Sequence, residues 1–445
     1  MDEAAIRRYA EIQVPRYTSY PTAVDFSNAI GPKDYASWLS RLQPGEPVSL
    51  YIHVPYCRAL CHYCGCHAKL VRRDEIIADY ARLLKTEIGL VGQHVSASPT
   101  AARLHWGGGT PSILETDGMA SVLEALLDVF TFDPAIEHAI ELDPRNVTPA
   151  FAHELALLGV TRVSFGVQDF DPSVQQAIGR VQPFDLVAAS VRNIRQAGIS
   201  SLSFDLMYGL PHQTIDSATR TAEQAITLQP DRISVFGYAH LPNRRKNQRL
   251  IDAAALPDAN ARYRQSEAIA DTFISAGCVA IGIDHFALPE DSLAIAVAEG
   301  RLRRNFQGYT DDPCEVLIGF GSSAISHLRD GYVQNLADNG AYARAVASGE
   351  LASARGHRFS DEDRRRGDII GELMCRHEVN LDSYGGGDGF YDEITRLEPL
   401  RTDGFLDIDG ARIQLTPQGR PFVRLVAAAF DEYLPAHQTG FSVAV

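Results

Sequence analysis

Several things are missing from this chain of 445 residues. It has no long hydrophobic run. No stretch approaches the roughly 20 apolar residues of a membrane-spanning helix, and the opening segment MDEAAIRRYAEIQVPRY has no apolar core. Neither a membrane anchor nor a signal peptide is therefore expected. It has no excess of positive charge: 41 Lys and Arg stand against 56 Asp and Glu, a net charge of −15. That argues against nucleic-acid binding, which needs a basic surface. It also means that an anionic ligand must be met by a local basic pocket, because the field of the whole protein repels it. Nor is there a disulfide framework. The seven cysteines are odd in number, and those at positions 57, 61, 64 and 66 crowd into one short stretch. This fits a reducing compartment and a soluble, cytoplasmic protein. Internal repeats and low-complexity segments are absent as well.

What is present is an ordinary globular composition, 45% apolar and 22% charged. The length suits one large domain with an appendage, or two to three domains. The most informative stretch is Tyr51-Ile-His-Val-Pro-Tyr-Cys57-Arg-Ala-Leu-Cys61-His-Tyr-Cys64-Gly-Cys66. The apolar run Val48 to Val54 reads as a buried strand, so the cysteines occupy the loop leaving it. A short loop with three convergent thiolates, spaced C-x3-C-x2-C, is a good holder for an iron–sulfur cluster. Three ligands leave one iron of a [4Fe–4S] cube open to a substrate or cofactor. Cys66 is separated from Cys64 by one glycine, and two side chains so close would struggle to reach two irons of one cube. Cys57, Cys61 and Cys64 are the expected ligands, with Cys66 outside. A zinc site would more often show two separated C-x2-C pairs or histidines at helical spacing. The isolated Cys278, Cys314 and Cys375 read as buried thiols.

Downstream, apolar strands alternate with helical stretches. Strands are predicted at 48–54, 102–106, 138–143, 162–167, 202–207 and 232–238. Helices are predicted at 74–91, 116–129, 148–157, 184–197 and 214–228. This alternation implies parallel βαβ units and an α/β fold, an open (β/α)6 barrel, to which Val279 to Phe286 adds a further apolar run. Chemistry in such barrels sits at the carboxyl ends of the strands.

Those ends carry polar groups in series. His105-Trp-Gly-Gly-Gly109-Thr110-Pro lets backbone approach a ligand closely and can hold an anion where it opens a helix. Glu141, in an apolar strand, needs a partner: a ligand's hydroxyl or ammonium groups, or Arg145 as a structural ion pair. Gln168, Arg180 and Asp205 follow, then Phe236-Gly-Tyr-Ala239-His-Leu-Pro. The basic run Asn243-Arg-Arg-Lys-Asn-Gln-Arg249 is either a solvated loop or a receptor for carboxylates. Arg303-Arg-Asn-Phe306-Gln307-Gly-Tyr-Thr is a loop able to stack and hydrogen-bond, and Gly319-Phe-Gly-Ser-Ser-Ala-Ile325 is Gly/Ser-rich and suits close backbone approach.

Three regions are expected. A leader, 1–45, holds Pro15-Arg-Tyr-Thr-Ser-Tyr-Pro21 as an ordered loop that either lids the barrel or packs on it. The barrel with its extension covers 46–355. A small helix-plus-hairpin domain, 356–445, has helices at 361–377, 390–400 and 418–433 and a hairpin with an Asp409-Gly410 turn. Its predicted task is to cover the barrel mouth.

The C-x3-C-x2-C motif after a strand resembles the radical S-adenosylmethionine (SAM) superfamily. The longer strings YIHVPYC, HWGGGTP, ELDPR, SFGVQDF, DLMYGLP, YAHLP, RNFQGYT and GSSAIS resemble one family within it, the oxygen-independent coproporphyrinogen III oxidases. The resemblance runs from RYTSYPTA to the C-terminal domain. It implies a [4Fe–4S] cluster, two SAM, and oxidative decarboxylation of two propionates to vinyl groups through a 5′-deoxyadenosyl radical. Carried over position by position, it places Tyr51, Tyr63, Gly108, Gly109, Thr110, Glu141, Gln168, Arg180, Asp205, Ala239 and Ile325 on SAM. Phe306 and Gln307 fall near a second SAM or the substrate. It also implies a tetrapyrrole substrate, a reduced electron donor and an electron acceptor, with no nucleic acid, no membrane and a monomeric enzyme. The Asn243–Arg249 run departs from the family, which usually has aromatic or apolar residues soon after the YAHLP motif. A haem-chaperone branch of the superfamily, or a methyl-transfer or cyclopropanation enzyme on the same scaffold, are the alternatives. The CGC cysteine, the RYTSYPTA leader and the RNFQGYT loop favour the oxidase over the chaperone.

Overall fold

The computed structural model describes residues 8–96, 98–434 and 441–444. The first seven residues of the expected leader, and 435–440 and 445 of the expected C-terminal domain, lie outside the described residues.

Six parallel strands follow one another in chain order: β1 (Pro47–Val54), β2 (Thr100–Gly108), β3 (Thr131–Leu142), β4 (Arg162–Gln168), β5 (Ser201–Tyr208) and β6 (Arg232–Gly237). Each is joined to the next by a helical crossover, as parallel pairing requires. The crossover Asp74–Gly92 shows why these segments are helical. It buries Ile77, Tyr80, Ala81, Leu84, Ile88 and Val91, a stripe at helical spacing. The helix Pro149–Leu157 starts where the Thr148 hydroxyl accepts the Phe151 amide, with proline in its first turn. The expected (β/α)6 unit is therefore present, with β3 longer at its start than its apolar pattern suggested.

The sheet continues on both flanks to twelve strands. Beyond β6 lie β7 (Val279–Ile281) and β8 (His285–Ala287), both antiparallel. The apolar run 279–286 is thus two short strands and not one, because the chain reverses at Gly282 (φ 56°). Beyond β1 lie β9 (Val316–Phe320), parallel to it, and antiparallel β10 (Ile325–Leu328), β11 (Gly331–Asn335) and β12 (Ser353–Arg358). The stretch 319–325, expected to suit close backbone approach, is the end of β9, a tight turn, and the start of β10. Gly319 is forced there by strand packing, since a Cβ would lie 2.6 Å from the Ile325 carbonyl oxygen.

Side chains alternate across a strand, so 103 and 105, 137 and 141, 162 and 166, and 232 and 236 share one face. At the amino ends that face carries an ionic lattice. Arg103 pairs with Glu137 (2.7 Å) and Asp311 (3.3 Å), Arg162 with Glu137 (3.1 Å), and Arg232 with Asp291 (2.7 Å). The carboxyl ends are left for the site.

The C-terminal region contains the helices Asp361–Arg376 and Tyr391–Thr402 and a small antiparallel sheet of Glu378–Asn380, Leu406–Asp409 and Arg412–Leu415. The expected helix 418–433 is shorter: a 3-10 turn at Arg420–Phe422 and an α-helix at Val423–Ala428. β12 crosses the expected junction at 355/356, and Ser360 caps the next helix. The leader is packed into this region. Tyr9, Val14, Tyr17 and Tyr20 share a core with Ile369, Leu373, Phe405, Phe422 and Phe430. Among the described residues, no helix is long and apolar enough to cross a membrane.

Candidate active site

The cysteine loop leaves β1 at the carboxyl-end face. The Thr110 hydroxyl donates to the Cys57 sulfur (3.3 Å), the Arg180 guanidinium to the Cys61 sulfur (3.4 Å) and the Cys66 amide to the Cys64 sulfur (3.4 Å). Each of the three expected ligands thus has a donor aimed at its sulfur, an arrangement that tunes a bound cluster. Cys66 presents an exposed side chain next to them; both its thiol and its amide hydrogen-bond to the Cys64 sulfur, and together they bring the Cys64 thiol down to about 6. Burial pushes the Cys57 thiol up to about 11. Among the described residues the thiols are not drawn into a preassembled group of metal ligands. The fit to a cluster rests on the soft donor set and on its hydrogen bonds.

Two residues that sequence reasoning assigned only to a charged loop hold this one in shape. The Asn247 side-chain amide donates to the carbonyls of Cys61 (3.0 Å), His62 (3.1 Å) and Cys64 (2.9 Å). Gln248, 2% exposed, donates to the carbonyls of Tyr63 (2.8 Å) and Ala239 (3.1 Å). The run Asn243–Arg249 therefore ties the cysteine loop to the end of β6. Ala239 contributes its carbonyl to that tie, and Tyr63 packs against the buried cluster of Val174, Ile178, Leu210, Tyr238 and Ile251.

The glycine run after β2 does something other than expected. Its amides are already used: Gly108 donates to Glu141 Oε2 (3.2 Å), Gly109 to the Val54 carbonyl (2.8 Å) and Thr110 to the Tyr56 carbonyl (2.9 Å). Gly109 is required because a Cβ would sit 2.6 Å from the Tyr56 carbonyl oxygen. The run lets β2 and the cysteine strand touch, and no anion cradle is left among those amides.

Glu141 does not pair with Arg145. Arg145 forks onto Asp143 instead (2.5 Å). Glu141 accepts from His105 Nε2 (3.1 Å), a residue missed in the sequence although alternation along β2 places it on the site face. Burial works against ionisation, but the His105 contact and the Gly108 amide outweigh it and hold the Glu141 carboxyl below its ordinary range. His105 in turn stacks on Tyr51 with ring centres 5.8 Å apart, and the Tyr51 hydroxyl meets His53 Nδ1 at 3.0 Å. Burial, with the Glu141 charge nearby, pushes Asp205 up to about 6. Gln168 is buried at the end of β4 with φ of 67°, at a register shift against β5. Arg180 is fully engaged, with the Gly166 carbonyl (2.7 Å), Gln182 (3.1 Å), Asp143 (3.4 Å) and Cys61.

The remaining predicted positions lie on the flanks. Ile325 opens β10. Phe306 and Gln307 form the tip of the hairpin Arg303–Asn305 and Gly308–Thr310, where Phe306 meets the Tyr332 ring edge-on at 5.3 Å.

Comparison with known proteins agrees with this geometry. The Radical SAM superfamily model matches residues 51–225. An oxygen-independent coproporphyrinogen III oxidase of Bradyrhizobium diazoefficiens is 48% identical over 431 residues, 96% of this chain and 96% of that one. One from Escherichia coli is 38% identical over 97% of this chain and 95% of its own length. A solved structure of the Escherichia coli coproporphyrinogen III oxidase, a radical SAM enzyme, superposes with a TM-score of 0.89 at 35% identity, covering 97% of this chain and 99% of that one. A cysteine loop at the end of the first parallel strand, a site face along the next five, and likeness over nearly the whole length lead to one conclusion: this chain belongs to the oxygen-independent coproporphyrinogen III oxidase family of radical SAM enzymes.

Proposed function

We propose that the chain converts two propionate side chains of coproporphyrinogen III to vinyl groups without oxygen, giving protoporphyrinogen IX. The observation that carries this reading is the set of three loop sulfurs, each with its own hydrogen-bond donor, facing the polar carboxyl ends of β2 to β6. Cys57, Cys61 and Cys64 would hold a [4Fe–4S] cluster. When bound, the cluster and SAM supply a one-electron reductant and a carbon radical able to remove an unactivated propionate hydrogen, chemistry no side chain offers.

The chain's own residues position the reactants. Glu141, kept ionised by His105 and Gly108, suits an ammonium or ribose hydroxyls. Tyr51, Tyr63, Gly108, Gly109, Thr110, Gln168, Asp205, Ala239 and Ile325 complete the proposed SAM surroundings. Arg180 belongs to the same proposed surroundings and also fixes Cys61 against β4. Phe306 and Gln307 are assigned to the substrate or a second SAM. Two propionates require two rounds and two SAM, with a reduced donor and an electron acceptor from outside. The protein acts as a cytoplasmic monomer, without nucleic acid or membrane.

The test is anaerobic reaction of reconstituted protein with SAM, a reductant and coproporphyrinogen III, followed by mass analysis. Loss of two CO2 with 5′-deoxyadenosine formed is the expected result. SAM cleavage with the porphyrinogen untouched would refute the proposed substrate and point to another radical SAM reaction.

A further inference from the structure

We propose that Arg16, Arg262 and Arg304 form the receptor for the substrate's carboxylate arms, with Arg424 behind them. This rests on the function proposed above and adds the residues that would recognise a tetracarboxylate.

The arginines come from distant parts of the chain: the leader, the helix Ala259–Ser275, the hairpin and the helix Val423–Ala428. They converge at the carboxyl end of β6. Arg16 Nη2 donates to the Gly237 carbonyl (3.2 Å), and a Cβ on that same Gly237 would lie 3.2 Å from Arg262 Nη2. Arg304 donates to the carbonyls of Arg16 and Tyr17, both at 3.1 Å. Aromatic rings set the guanidinium planes. Arg16 lies 6.0 Å from the Phe236 ring centre, Arg262 5.7 Å from Tyr208 and Arg304 4.4 Å from Tyr309. Such stacking fixes the plane and leaves the edges for in-plane recognition of a carboxylate.

The charge balance is what calls for an anion. Among the described residues, Asp284 and Asp431 are the carboxylates that bear on these four cations, and Asp284, despite burial, is held below its ordinary range by His285 and then by Arg304 and Arg16. Asp284 lies 2.6 Å from His285 Nδ1, and Asp431 accepts from the Tyr17 hydroxyl at 3.0 Å. Cations exceed anions here even if both are ionised, in a protein whose net charge is −15. Burial, followed by repulsion from Arg16 and Arg304, pushes Arg424 down to about 9. Arg304 Nη1 is buried without a hydrogen-bond partner among the described residues. Buried polar groups are normally satisfied. Stapling the leader to β6 would need one cation, not four gathered against each other's repulsion. The ligand chemistry that matches is a polyanion with several carboxylate arms on an apolar frame, since Phe236, Tyr208 and Tyr309 provide the aromatic surface between the cations.

The test is equilibrium dialysis of coproporphyrinogen III against reconstituted protein, anaerobically and without SAM, so that binding is read apart from turnover. Arg304→Gln and Arg16→Gln are each expected to weaken binding about tenfold or more, as loss of a charge-assisted bond implies, with the deficit shrinking as salt is raised. Arg304→Lys and Arg16→Lys should recover part of it, and Lys85→Gln, an exposed helix position, should match the parent. Arg16→Gln, which removes a single bond from an exposed side chain, serves if Arg304→Gln misfolds. Folded glutamine variants that bind as tightly as the parent, or a deficit indifferent to salt, would overturn the assignment. A parent protein that neither binds nor converts coproporphyrinogen III would instead overturn the proposed function.

Discussion

Replacing Asn247 by alanine should loosen the cysteine loop while leaving the fold intact. The side-chain amide offers two N–H groups, and these serve three carbonyls, those of Cys61, His62 and Cys64, at 2.9 to 3.1 Å. A net contribution of about 1 kcal/mol for each N–H gives roughly 2 kcal/mol, or roughly 30-fold in the local opening equilibrium of the loop. Little else changes. The helical turn Lys246–Leu250 keeps Gln248 buried and bonded to Tyr63 and Ala239. The assay is the rate at which an iron chelator bleaches the reconstituted protein, monitored by its charge-transfer absorbance. Asn247→Ala should bleach about 30-fold faster than the parent if chelation proceeds through loop opening, with the thermal midpoint barely moved. Asn247→Asp keeps the shape but replaces the donor by an acceptor facing carbonyl oxygens, so it should be at least as labile. Equal bleaching rates for all three proteins would refute the claim that these bonds hold the loop.

Three other outcomes follow from the same structure. Cys57→Ala should abolish iron binding and Cys66→Ala should retain it, as measured by iron per protein after anaerobic reconstitution; the reverse pattern would exclude the proposed ligand set. Glu141→Gln should weaken SAM binding by about tenfold, the worth of a charge-assisted bond, with iron content unchanged; isothermal titration of the reconstituted protein checks this. Burial pushes Glu87 from 4.5 up to about 7 despite bonds from Tyr342, Gly321 and Asn335. The folded state therefore keeps a proton that the unfolded state has lost across that window, and stability falls as pH rises through it, by about 3 kcal/mol in all. Denaturant titrations from pH 4 to 8 should show a steeper fall in the parent than in Glu87→Gln, the difference being the Glu87 contribution.

How much of this was legible in the sequence depends on where the information lies along the chain. β1 to β6 were readable because each is a local apolar run followed by an amphipathic helix. β9 to β12 were not, because Gly319, Gly321 and Ser322 interrupt the apolar signal, and Gly321 is demanded by the His53 backbone of β1, far away in sequence. The cysteine loop announced itself through spacing alone. Its clamp did not, because Asn247 and Gln248 sit among Arg244, Arg245, Lys246 and Arg249, and the charges hid the amides. His105 was within reach, one residue from a buried tryptophan and so on the opposite face. Arg145 stood as the structural alternative to a ligand for Glu141 because that arginine is near in sequence, whereas the side chain that hydrogen-bonds it is adjacent across the sheet.

The two chain ends illustrate why the mouth of the barrel could not be inferred from either alone. Tyr17 and Tyr20 of the leader are buried, and both bond to the segment after the last helix: Tyr17 to Asp431, and Tyr20 from the Glu432 amide at 3.2 Å. Arg424 donates from the other side to the Pro15 carbonyl at 2.9 Å. A lid that moved by itself would have to pull two tyrosines from an apolar core and break these bonds. Burial of each aromatic side chain stabilises by about 2 kcal/mol, so independent opening of the leader is costly. Any opening that admits a ligand at this end must carry the leader and the C-terminal helices as one body.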